Sequence, residues 1–170
     1  AVAEGITGEE LDLVRTAGIY HDAGFLRRYD KNEPLACEMV KEILPGFGYS
    51  DAQIDVVADM IMATQIPQSP KNLLGHIICD ADLDYLGTAD FDELSDDLRE
   101  EPDNHGKTFS DGDWLRLEVC FLEAHSYFTA TAKTLRDAQK ARHLAKIKAK
   151  LAKMDAGCKM RDAGCKMRDA

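Results

Sequence analysis

Ala17-Gly18-Ile19-Tyr20-His21-Asp22-Ala23-Gly24-Phe25 is the stretch from which the rest of the chain can be read. A histidine and an aspartate stand side by side between small and apolar residues, the surroundings of a buried or half-buried helix end. Burying an imidazole beside a carboxylate is costly unless each has a partner. A divalent metal satisfies both, because imidazole nitrogen and carboxylate oxygen are good ligands for first-row divalent ions. Taken alone, the doublet reads more plainly as a hydrogen-bonded histidine followed by a helix-capping aspartate. A second acidic cluster about sixty residues later, Cys79-Asp80-Ala81-Asp82-Leu83-Asp84-Tyr85-Leu86-Gly87, shifts the balance toward a shared site.

Working outward, Thr7-Gly8-Glu9-Glu10 has the form of a capping box and should open a helix through Leu11, Leu13, Val14 and Ala17 that ends at the doublet. Gly24 is placed to stop it. The polar segment from Arg27 to Asn32 leads to a second helix, Glu33 to Leu44, with Pro34 in its first turn and apolar residues at Leu35, Met39, Val40, Ile43 and Leu44. Ser50-Asp51-Ala52-Gln53 is another capping box, opening a helix with Ile54, Val57, Ala58, Ile61 and Met62 on one face and an end before Pro67. A fourth helix from Lys71 or Asn72 runs through Leu86. Nearly all its non-acidic residues are apolar, so it should be the most buried. An acidic amphipathic segment, Asp90 to Arg99, and a loop, Glu101 to Lys107, follow. Ser110 should cap a helix from Asp111 to about Tyr127 whose core face is Trp114, Leu117, Val119, Cys120, Phe121 and Leu122. A basic helix from Thr129 should end near Met154. No period-two strand pattern is present, so the fold class is all-α.

The chain has 170 residues, 45% hydrophobic and 31% charged, which suits a globular domain with a real core. No apolar run approaches the length of a membrane span, and the N-terminal ten residues do not have the form of a signal peptide. Five cysteines without a CxxC pair read as reduced thiols, and the expected location is cytoplasmic. Charge is unevenly placed. From Lys133 onward there are 12 Lys and Arg against 4 Asp and Glu, leaving 9 against 27 before it. An acidic body does not attract nucleic acid, and a phosphate ester would need bound cations to offset its field. The expected organisation is one helical domain over residues 1–153 and a tail over 154–170. In that tail Met-Arg-Asp-Ala-Gly-Cys-Lys nearly repeats, and its glycines argue for a frayed end.

The ordered set of features resembles the HD superfamily of metal-dependent phosphohydrolases. His21-Asp22 at a helix end and an aspartate on a buried helix some sixty residues later carry the resemblance. Leu44 to Ser50, Ile78 to Gly87 and Phe121 to Thr129 are similar to a subgroup of small bacterial HD-domain proteins, and the likeness covers roughly residues 8 to 150. It implies an HD-domain-like helical bundle and hydrolysis at phosphorus, with a nucleotide or other small phosphoester as substrate. It also implies a divalent ion (Mn, Fe, Co, Ni, Zn or Mg) held by His21, Asp22 and the last aspartate of the motif. Asp82 matches that aspartate best and Asp80 is the runner-up. Two residues apart on a helix is about 200° of rotation, so both cannot face one metal. Asp22 is the expected catalytic carboxylate, and Arg27 and Arg28, with Lys31, are candidate anchors for phosphate oxygens.

Two departures bear on activity. The family's first histidine normally lies on a helix before the doublet, and none of the twenty residues before His21 is a histidine. His76, His105, His125 and His143 are the replacements within the chain; in a homo-oligomer a second subunit is another source. Phe25 and Asn32 stand where relatives carry an acid and extra histidines for a second metal, which argues against a two-metal site. The chain is therefore expected to bind metal weakly and hydrolyse slowly. The other reading is a catalytically impaired HD-like module with a regulatory or binding role.

Overall fold

A computed structural model describes the backbone of residues 1–28, 31–104 and 108–166, and the side chains of these except 101–104 and 157–166. Among the described residues there are seven α-helices and no strand: α1 Gly8–Tyr20, α2 Asn32–Ile43, α3 Asp51–Thr64, α4 Leu73–Asp82, α5 Phe91–Asn104, α6 Asp111–Ala124 and α7 Ala130–Lys166. The all-α expectation holds. No helix among these residues is long and apolar enough to cross a membrane.

The chain forms two compact units. The first comprises Ala1–Asp84 and Tyr127–Thr134, the second Tyr85–Ser126 and Leu135–Ala170. In the first, α3 packs against α1, α2 and α4, and α1 also packs against α4. Val40, Val57 and Ile61 are fully buried in its core, with Ala17, Ala36 and Cys79 beside them. Burying one such aliphatic side chain contributes about 1.5–3 kcal/mol. Ser50 and Gln53 form the expected capping box at the start of α3. Thr7 makes no side-chain cap bond to α1; instead Glu9 accepts from Gln53 at 2.6 Å, tying the first turns of α1 and α3 together. On α3 the buried face is Ile54, Val57, Ala58, Met60 and Ile61; Met62, expected on it, is exposed, and Met60 is buried instead.

The fourth helix is shorter than its apolar sequence suggests. It stops at Asp82, and a 3-10 turn, Asp84–Gly87, takes over. The buried Tyr127 hydroxyl donates to the Leu83 carbonyl at 3.2 Å, satisfying an acceptor that the ended helix leaves open. Cys37 and Cys79 are buried thiols, pushed up to about 11 and about 12 by desolvation, and they hydrogen-bond to α3 carbonyls. They are core residues.

In the second unit Leu86, Phe91, Leu115, Leu122 and Ile147 are buried. On α6 the core face is set by Leu115 and Leu122, two turns apart; Leu117 and Cys120, expected inside, face solvent. The α5 helix extends to Asn104 through Pro102, where a loop was expected; so close to the helix end, the missing proline N–H costs one hydrogen bond. The rest of the expected loop, 105–107, lies outside the described residues, as do 29–30 of the polar connection. His143 is buried, stacked on Phe91 at 4.5 Å, with Nε2 2.8 Å from the Thr88 carbonyl. The α7 backbone continues past Met154 to Lys166, where a frayed end was expected: apart from its glycines, the repeat is built from residues that the helix tolerates.

Candidate functional site

His21 is the C-cap of α1, its N–H bonded to the Ala17 carbonyl at 2.8 Å. Asp82 is the last residue of α4. The negative ends of two helix dipoles therefore meet at one place, which favours positive charge there. His21 Nδ1 lies 2.9 Å from the Gly18 carbonyl oxygen, which can only accept, so Nδ1 carries a hydrogen. The ring is thereby turned so that Nε2 faces two carboxylates, Asp22 Oδ2 at 3.2 Å and Asp82 Oδ1 at 3.4 Å. The His21 and Asp82 side chains are about one-fifth exposed, whereas Asp22 is 59% exposed and opens the cluster to solvent. Asp22 first, then Asp82, raise the His21 pKa from 6.5 to about 10, so without a metal the ring is an imidazolium.

Two amide side chains complete the arrangement. Asn32, buried at the start of α2, places Nδ2 3.2 Å from Asp22 Oδ1 and 3.4 Å from the His21 carbonyl. Gln68, in the loop between α3 and α4 that contains a cis Ile66–Pro67 bond, places Nε2 3.3 Å from Asp82 Oδ2 and 3.2 Å from the Cys79 carbonyl. The turn after the doublet lies against the main chain of α2. A Cβ on the buried Gly24 would fall 1.9 Å from the Asn32 carbonyl oxygen, so only glycine fits there.

Comparison with family models, with curated proteins and with solved structures gives no match.

The structure thus brings together His21, Asp22 and Asp82 and separates Asp80 from them. Asp80 is buried on the other side of α4, where Oδ1 accepts from the Phe128 N–H and Oδ2 from the Thr129 N–H, each at 2.8 Å. Both oxygens are committed to the chain entering α7, so as the runner-up metal ligand Asp80 gives way to a structural role. Arg27 is held by Glu42 at 2.9 Å, which draws its guanidinium to α2 and weakens its case as a phosphate anchor; Arg28 is exposed. His76 stacks on Phe128, rings 5.2 Å apart and nearly parallel, while His125 caps α6 and accepts from Lys140 through its carbonyl. With His143 on Thr88, the rings of His76 and His143 each have a local partner, the cap and Lys140 contacts of His125 are through its main chain, and His105 lies outside the described residues.

Among the described residues no three or more His, Cys, Asp or Glu side chains are spread at metal-holding distances. The triad closes on itself through the Nε2 proton, shared between Asp22 and Asp82. Its chemistry still fits a divalent ion: a histidine anchored through Nδ1, two carboxylates, and amides on the outer oxygens. A divalent ion held there by His21, Asp22 and Asp82 would take the place of the Nε2 proton. The sequence reading missed Gln68 and the Gly18 carbonyl, and weighed Asn32 only as a missing ligand. A glutamine between two prolines just before the helix bearing Asp82, and a carbonyl three residues before a helix-terminal histidine, were the available signals.

Proposed function

We propose that the His21–Asp22–Asp82 cluster is a divalent-metal site of the HD type, and that the chain is a metal-dependent phosphohydrolase acting on a nucleotide or other small phosphoester. The observation that carries this reading is the His21 ring, fixed through Nδ1 on Gly18 with Nε2 aimed at carboxylates 3.2 and 3.4 Å away. His21, Asp22 and Asp82 would hold the ion, which supplies Lewis acidity toward a phosphoryl oxygen and a lowered pKa for water. The protein's part is to orient. Gly18 fixes the imidazole, Asn32 and Gln68 fix one oxygen of each aspartate, and the exposed Asp22 offers the carboxylate closest to solvent as a proton acceptor.

The test is metal content of the purified chain, together with hydrolysis of a generic phosphodiester and a panel of nucleotides in Mn²⁺ or Co²⁺. Metal-dependent turnover abolished by Asp22→Ala is the expected result. Stoichiometric metal without turnover on any substrate would favour a regulatory HD-like module, a second reading favoured by the triad's having only three protein donors. A chain that takes up no metal and turns over no phosphoester would overturn the proposal.

A further inference from the structure

We infer that Asn32 and Gln68 are a matched pair of positioning residues, each locking one aspartate so that its remaining oxygen faces the cation. The inference rests on the metal-site reading above and assigns roles to residues that the triad itself does not include. The two amides do the same thing from different elements. Asn32 Nδ2 spans Asp22 Oδ1 and the His21 carbonyl; Gln68 Nε2 spans Asp82 Oδ2 and the Cys79 carbonyl. In each case one nitrogen uses both hydrogens, one on a carboxylate and one on a main-chain carbonyl of the segment that carries the aspartate. Both neighbours are acceptors, so the atom between them must be the amide nitrogen. A carboxylate, hydroxyl or apolar side chain cannot make the same pair of bonds.

The consequence is directional. Free aspartates rotate about χ2 and present either oxygen. Here Asp22 Oδ1 and Asp82 Oδ2 are held by amides, and Asp22 Oδ2 and Asp82 Oδ1 are the oxygens left for Nε2. The amides are neutral, so they orient the carboxylates without cancelling the charge that would bind a cation. Lysine or arginine in the same places would compete with the ion. Asn32 is 6% exposed, which removes water as an alternative partner for its amide.

Co²⁺ titration of the full chain, followed by calorimetry and by the visible d–d spectrum, tests this. Gln68→Met keeps length and volume and removes the donor; Asn32→Leu does so at the other aspartate. Each is expected to weaken Co²⁺ binding about 10–100-fold, the usual effect of losing a residue that orients a metal ligand. Each should also change the band shape, because a carboxylate is no longer held in one orientation. The melting temperature of metal-free Gln68→Met should stay close to wild type, which a merely structural role would not predict. Asn32 is buried, and if Asn32→Leu does not fold, the half-buried Gln68 carries the test alone. If wild type binds Co²⁺ and Gln68→Met binds as tightly with the same spectrum, the positioning role is wrong and the metal site stands. If wild type binds no Co²⁺, both fall.

Discussion

Asp80 and Asp82 stand two residues apart on α4 and serve opposite sides of it: Asp80 receives the Phe128 and Thr129 N–H groups at 2.8 Å each, and Asp82 lies 3.4 Å from His21 Nε2. One carboxylate anchors the chain as it enters α7, and the other faces the candidate cation site. Asp80→Ala leaves two main-chain donors without their charged acceptor. It is expected to destabilise by about 1.5–3 kcal/mol in chemical denaturation and to leave Co²⁺ affinity nearly unchanged. Asp82→Ala should do the reverse. Loss of metal binding with unchanged stability in Asp80→Ala would show the two roles to be exchanged.

The His21 ring should keep its second proton far above neutrality in the metal-free protein. Its folded pKa, about 10, exceeds the ordinary 6.5, so the stabilisation is full below about pH 6.5 and is lost as pH rises through about 10. Imidazole ¹⁵N shifts followed against pH give the value directly, and a midpoint near 6.5 would show that Asp22 and Asp82 do not hold the ring. Because the ion must displace this proton, Co²⁺ uptake near pH 7.5 should release close to one proton, seen as a buffer-dependent calorimetric enthalpy.

Gly18 and Gly24 flank the doublet and should respond oppositely to alanine. A Cβ on Gly18 would make only an ordinary 3.8 Å contact with Ile78 Cδ1, and the position is within α1. Gly18→Ala is expected to stabilise by up to about 1 kcal/mol. A Cβ on Gly24 would lie 1.9 Å from a main-chain oxygen that cannot move without shifting α2. Gly24→Ala should cost about 1–3 kcal/mol and weaken metal binding, since Asn32 would move with the backbone. Thermal melts of the two variants check the contrast.

Ending the chain after Lys153 should change little. Residues 152–156 are exposed, and the Arg116–Asp155 pair at 3.0 Å is about half exposed on both sides. Such pairs contribute about 0–1 kcal/mol. A melting temperature within a few degrees of the full chain is expected; a larger drop would show that the repeat packs.

Much of this architecture was legible in the sequence because it follows from local chemistry. The Ser50–Gln53 box, the Ser110 cap and the apolar spacing of α3 depend on neighbours within a turn or two. The doublet and Asp82 could be paired because both were acids or bases in apolar helices, and the 200° rotation correctly separated Asp82 from Asp80. What escaped was set by distant partners. Thr7 makes no cap bond, and Glu9 reaches Gln53, 44 residues away; Arg27 turns to Glu42; and on α6 Leu115 is buried while Leu117 is exposed. Gln68 carried only a weak local mark, its place between Pro67 and Pro70 just before α4, and its partners Asp82 and the Cys79 carbonyl lie 14 and 11 residues on.

The first unit is also closed from its far end. Thr131 donates its N–H to Glu4 across 127 residues of chain, at 2.9 Å, and the Thr131 contacts hold the Glu4 carboxyl below its usual range. Although α1 to α4 are complete by Asp82, the segment that receives Glu4 and Asp80 is made only after α5 and α6. On a ribosome adding about 5–20 residues per second, the first four helices wait several seconds for their last strip of chain. During that interval Asp80 has yet to receive the Phe128 and Thr129 N–H groups, so a chain stalled before Thr129 holds its first four helices without that anchor.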